Sequence, residues 1–169
     1  LIFGVWIEDS FNLSVTGLGA AALGIGLIEL FGELTGGITA DKFGKRRMIA
    51  VGILLNIAAA AWMAFFSKTL FSALLGLMFF YLSFEFAIVS CFGLISGILP
   101  GARATIMGAN VAALSLGRMF GAVTVPFLYE LNFHWNLLLA VIINLLSLYA
   151  MSRVKLQEGK NAIPADVVE

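Results

Sequence analysis

Gly37-Ile38-Thr39-Ala40-Asp41-Lys42-Phe43-Gly44-Lys45-Arg46-Arg47 is the stretch that decides the fold. Read physically, it is a helix end, a tight turn at Gly44 and a cationic start to another helix. Long apolar segments run away from it on both sides. A plain topogenic loop would explain the lysines and arginines, since any run of cations serves that purpose. It would not explain a single aspartate eight residues after Glu33 and three after Ile38, with glycine on either side.

Composition sets the surroundings of this loop. Of 169 residues, 61% are apolar and 12% charged, with a mean hydropathy of +1.02. Ordinary globular domains carry about 45–50% apolar and about 25% charged residues, so this charge cannot solvate a soluble surface. The same figures exclude disorder, which needs a charge-rich, apolar-poor chain. Ten Lys and Arg balance ten Asp and Glu, which leaves no electrostatic basis for binding nucleic acid. One cysteine, Cys91, excludes an internal disulfide framework and a cysteine-based metal site. This is the composition of an integral membrane protein.

A span needs about 20 apolar residues, and charged or Gly/Pro-containing separators divide the chain into five. The pattern predicts helices over 13–40, 45–66, 70–99, 102–130 and 134–153, with a loop at 41–47 and a polar tail at 154–169 containing Pro164. Residues 1–12 read as the end of a preceding helix and an outer loop. The opening Leu1-Ile2-Phe3-Gly4-Val5-Trp6-Ile7 is neither a secretory signal nor a complete span. The separators are short, so consecutive helices run antiparallel.

Placing the 41–47 loop in the cytosol gathers Lys42, Lys45, Arg46, Arg47, Arg103, Arg153, Lys155 and Lys160 on that side, against Lys68 alone on the other. Such a bias predicts a cytosolic loop and tail. Trp6, Trp62 and Trp135 all fall at outer helix ends on this reading, where an aromatic belt is expected.

With its separators and spans in place, the sequence resembles the major facilitator superfamily of secondary transporters. That family's signature loop has the form Gly-x-x-x-Asp-(Arg/Lys)-x-Gly-(Arg/Lys)-(Arg/Lys), matched by Gly37, Asp41, Lys42, Gly44, Lys45 and Arg46. The resemblance implies an all-α polytopic bundle, part of a C-terminal six-helix half, holding helices eight to twelve and the end of helix seven. It further implies that Asp41 caps or pairs with groups on neighbouring helices as a latch while the cytosolic side is closed, a role suited to a carboxylate near a helix N-terminus or an arginine.

Four ionisable residues fall inside the spans: Glu29, Glu33, Glu85 and Arg118. Charges in hydrocarbon are costly and point by default to function. Counted from Asp41, Leu99 and Arg103, residues Glu29, Glu85 and Arg118 lie about 18–23 Å from their helix ends, near the middle of a core about 30 Å thick. The spans at 45–66 and 134–153 hold only Asn56, Asn136 and Asn144. In the resembling fold helices nine and twelve are peripheral, while eight, ten and eleven line the cavity. Secondary transporters place substrate and coupling-ion sites near the midplane.

Arg118 is either a structural partner for Glu29 or Glu85 or a clamp for an anionic substrate. Glu29 and Glu33 share a helix face at i,i+4, where like charges repel and protonation of one is favoured. Glu33 is also placed to serve the Asp41 latch. Asn110, Ser90, Ser96 and Ser115 can hydrogen-bond either a substrate or a neighbouring helix. Gly32-x-x-x-Gly36, Gly93-x-x-x-Gly97 and Gly117-x-x-x-Gly121 are close-packing spacings. Phe79, Phe80, Tyr81, Phe84 and Phe86 surround Glu85, and His134 reads as an interfacial anchor. Asn12-Leu13-Ser14 has glycosylation spacing but lies too close to the membrane to count.

The function that the resemblance implies is secondary active transport of a small molecule by alternating access, proton-coupled and of efflux (antiporter, permease) type, in the plasma membrane, the inner membrane of the cell. The expected partners are the substrate, protons, the lipid bilayer and a missing N-terminal half, with no cofactor, metal or nucleic acid. An enzyme is not expected, because one His at a helix end and no paired His/Cys spacing supply no catalytic cluster. The alternative is a non-transporting scaffold or a channel subunit.

Overall fold

The computed structural model describes residues 2–98 and 100–153; Lys155, Lys160 and the expected tail with Pro164 lie outside them. Six helices follow one another: α1 (Ile2–Phe11), α2 (Val15–Phe43), α3 (Lys45–Phe66), α4 (Leu70–Ile98), α5 (Arg103–Leu131) and α6 (Phe133–Arg153), with a 3-10 turn at Pro100–Ala102 before α5. No strand occurs among the described residues. The five long helices are each apolar and long enough to cross a bilayer.

Local chemistry sets the breaks. Asn12 adopts φ 49°, a left-handed conformation that asparagine tolerates, and Ser14 then caps α2 by accepting the Gly17 N–H at 3.2 Å. The glycosylation-like triplet is thereby accounted for as a helix junction. At the other end α2 runs to Phe43, so Asp41 and Lys42 belong to its last turn and the loop expected over 41–47 shrinks to Gly44. Gly44 sits at φ 94°, where a side chain would be strained. Its N–H bonds the Ala40 carbonyl and its own carbonyl accepts the Met48 N–H, so one residue closes α2 and opens α3.

α4 is the central helix. It packs most extensively on α3 and α2 and also touches α1 and α5, while α6 lies against α3 and α5. Glycine makes two of these approaches possible. A Cβ on Gly52 would stand 2.8 Å from Ala87 Cβ and 3.0 Å from its backbone N, and one on Gly36 would stand 3.3 Å from Phe86 Cα. The Gly32/Gly36 spacing is therefore a true helix contact. Gly97, Gly117 and Gly121 face open space among the described residues, so those spacings close no contact within this chain, and Gly93 meets only the Lys45 stem.

The buried apolar cluster is small: Trp6, Ile7, Ile25, Ala60, Met63, Ala73, Leu77 and Leu137. It sits at one end of the bundle. Larger apolar side chains such as Leu23, Leu27, Phe71 and Val123 are 68–77% exposed, an arrangement that water would penalise and hydrocarbon solvates. The three tryptophans gather at this end, but Trp6 is not part of a belt. It is 6% exposed and stacks on Phe133 with ring centroids 4.2 Å apart, whereas Trp62 and Trp135 remain open at 39% and 51%.

Candidate functional site

Glu85 stands half-buried on the side of α4 that meets α2. The absence of a side chain at Gly32 creates the approach, since a Cβ there would lie 3.3 Å from Glu85 Cβ and 3.1 Å from the Leu82 carbonyl oxygen. Glu29, one turn before Gly32, is also half-buried, and Glu33 is exposed. On α5, Arg118 falls in register with the half-buried Asn110, Leu114, Gly121 and Val125 yet is itself exposed. The charges of Glu29, Glu33 and Arg118 are all close enough to act on Glu85. Four groups from three helices thus share one neighbourhood, on the helices where the sequence placed them.

They do not form a packed ion pair. Among the described residues the one salt bridge within 4.0 Å is Lys45 to Asp41, at 3.8 Å. Arg118 therefore carries a charge with no carboxylate in contact, and no direct Glu–Arg pair pins the packing here. Chemically, one cation and three carboxylates lie on three helices with no ion pair between them within 4.0 Å among the described residues, a set of groups able to accept a proton, an anion or a polar ligand.

Tyr81, which the sequence marks only as one of the aromatic stretch around Glu85, belongs to the same neighbourhood. It lies one turn before Glu85, Glu29 acts on it, and Phe3 of α1 meets its ring edge-on at 6.0 Å. Its i,i+4 relation to Glu85 was the available signal, hidden by the surrounding phenylalanines. Asn110 has no side-chain hydrogen bond among the described residues, whereas Ser90, Ser96 and Ser115 bond back to carbonyls of their own helices.

The signature residues occupy the opposite, basic end. Gly37, Asp41 and Lys45 line a cleft of about 390 Å³ with Phe92, Gly93 and Arg103, between α2, the start of α3, α4 and α5. Asp41 meets Lys45, the first residue of α3, and its side chain is 76% exposed; it pairs with no group beyond that adjoining helix among the described residues. Lys42 lies over the Phe43 ring, 5.4 Å from the centroid. Arg46 spans to α6 and donates to the carbonyls of Met151 and Ser152 at 3.2 and 3.3 Å. A guanidinium on the unpaired carbonyls of a helix C-terminus satisfies those groups and opposes the dipole. At the tryptophan end, His134 lies with Nδ1 2.8 Å from Asn132 Oδ1 and Nε2 3.3 Å from the Ala64 carbonyl, an anchor between α3 and α6.

Five helices long enough to cross a bilayer, joined by short turns, define a multi-pass membrane protein. The chain belongs to the Major Facilitator Superfamily, whose family profile matches residues 1–166. It is similar to an uncharacterized MFS-type transporter, YceJ of Bacillus subtilis (strain 168), with 31% identity over 134 residues, covering 79% of this chain and 34% of that protein. The chain thus spans about a third of the length of the curated relative it matches. No solved structure matches it.

Proposed function

We propose that this chain is the C-terminal part of a secondary transporter, corresponding to helices eight to twelve and the end of helix seven. It moves a small molecule by alternating access, coupled to protons and in the efflux direction, together with an N-terminal half that completes the path. The observation that carries this reading is the convergence of Glu29, Glu33, Glu85 and Arg118 without a direct ion pair. A static Glu–Arg contact would serve packing; separated charges at mid-span leave room for a proton or a ligand. Family membership and the transporter-like relative support the same reading. The preponderance of cations at the Gly44 end supports a cytosolic signature loop in the plasma membrane.

In this mechanism Glu29 and Glu85 exchange a proton as the cavity opens to alternate sides, and Arg118 balances the charge or holds an anionic group of the substrate. The test is uptake by the full-length transporter carrying Glu29→Gln, with and without a pH gradient. Flux that no longer responds to the gradient is the expected result. Unchanged proton coupling removes Glu29 from the mechanism, and ion currents without saturable flux favour the channel alternative.

A further inference from the structure

A buried polar network lies behind Glu85, on the far side of α4. Asn56 of α3 is 4% exposed. Its Nδ2 donates to the Phe80 carbonyl at 2.8 Å and to Ser83 Oγ at 3.1 Å, both on α4. Ser83, 2% exposed, donates in turn to the Phe80 carbonyl at 2.9 Å. Asn144 of α6 donates to Asn56 Oδ1 at 2.9 Å and to the Ala140 carbonyl at 3.0 Å. Asn56 thus commits both amide hydrogens to α4 and its oxygen to α6, tying three helices together at one level.

Ser83 and Glu85 are two residues apart, about 200° around a helix. The face tied to α3 is therefore nearly opposite the face that carries the carboxylate. On the carboxylate side, α2 approaches so closely at Gly32 that even a Cβ would crowd Leu82 and Glu85. Rotating α4 either way breaks the amide bonds behind it or drives its front face into α2. In hydrocarbon no water replaces the lost bonds, and a buried amide left unpaired is expensive.

We infer that Asn56 and Asn144 are positioning residues for Glu85, holding the rotation of α4 and hence the direction of the carboxylate from two helices that carry no membrane-embedded charge. The functional part of this inference rests on the carrier reading; the geometric part does not, and the experiment separates them. The full-length transporter in vesicles, carrying Glu85→Cys and Cys91→Ser, is labelled by a water-soluble maleimide at position 85. Asn56→Leu keeps the number and branching of the side-chain heavy atoms and suits lipid, so it removes the bonds without opening a hole. It should change the labelling rate about five-fold or more, the factor expected when roughly one such bond's net free energy is lost. Asn144→Ala should move the rate in the same direction by less, and Ser83→Ala, which keeps the Asn56–Phe80 bond, should leave it within two-fold, roughly the effect of a weak bond. A thiol introduced by Arg103→Cys, at the helix end, should label at an unchanged rate. In parallel, Asn56→Leu with Glu85 intact should shift the pH profile of uptake. Labelling at position 85 that is the same with and without Asn56 and Asn144 overturns the inference. A labelling change together with the absence of saturable transport by the unsubstituted full-length protein upholds it and sinks the carrier reading instead.

Discussion

The Tyr129 hydroxyl donates to the Asp9 carboxylate across 2.7 Å, joining residues 120 apart in sequence. This bond ties the end of α5 to the end of α1, beside the Trp6–Phe133 stack. Tyr129→Phe should lower stability by about 1 kcal/mol, the usual net value of a hydrogen bond that is partly open to solvent. Asp9→Asn keeps an acceptor and should cost less. Reversible denaturation in detergent micelles measures both, and unchanged stability in Tyr129→Phe would show that the bond itself contributes nothing.

Gly52 and Gly26 invite a paired comparison. A Cβ at Gly52 would meet Ala87 at 2.8 Å, whereas one at Gly26 meets nothing within 4 Å among the described residues. Gly52→Ala should destabilise by about 1–3 kcal/mol through overpacking of α3 on α4. Gly26→Ala should be neutral or gain up to about 1 kcal/mol from helix propensity. Thermal unfolding of the two variants should move in opposite directions; a common direction would mean that the close approach of α3 and α4 is not rigid.

At Gly44 the expected cost is backbone strain. Gly44→Ala should lose about 1–3 kcal/mol at φ 94°, read as a reduced yield of folded protein and a lower unfolding midpoint. Full retention of stability would mean that the turn relaxes into another conformation.

Asp41 is largely exposed and paired only loosely with Lys45. Such pairs are worth about 0–1 kcal/mol, so Asp41→Asn should leave membrane insertion and stability nearly unchanged. On the latch role that the family resemblance implies for Asp41, transport by the complete protein should nonetheless fall. Wild-type rates in this variant would refute that role.

The two halves of this picture were unequally readable from sequence. The Gly37–Arg47 stretch and the hydropathy breaks located five spans, because turn chemistry and apolar length are local properties. Counting residues along helices of known rise puts Glu29, Glu85 and Arg118 at similar distances from their helix ends. Helix rotation was not reachable in this way. It decides that Trp6 packs inward, that Gly117 and Gly121 face open space, and that Asn56 and Asn144 meet across two helices. Asp41 is a further case: the spacing marks it, but only coordinates show that its nearest cation is its own neighbour rather than a distant helix.

α5 buries none of its residues against the rest of the described chain, while α4 is wedged between an amide network and a glycine groove. Sliding α5 would sacrifice little dispersion energy, whereas α4 would have to surrender contacts on two sides. Among the described residues, Arg118 therefore sits on a helix held loosely by the others, and Glu85 on the one they hold most tightly. In the carrier mechanism proposed above, the separation between cation and carboxylates is the coordinate along which electrostatic work is stored and released.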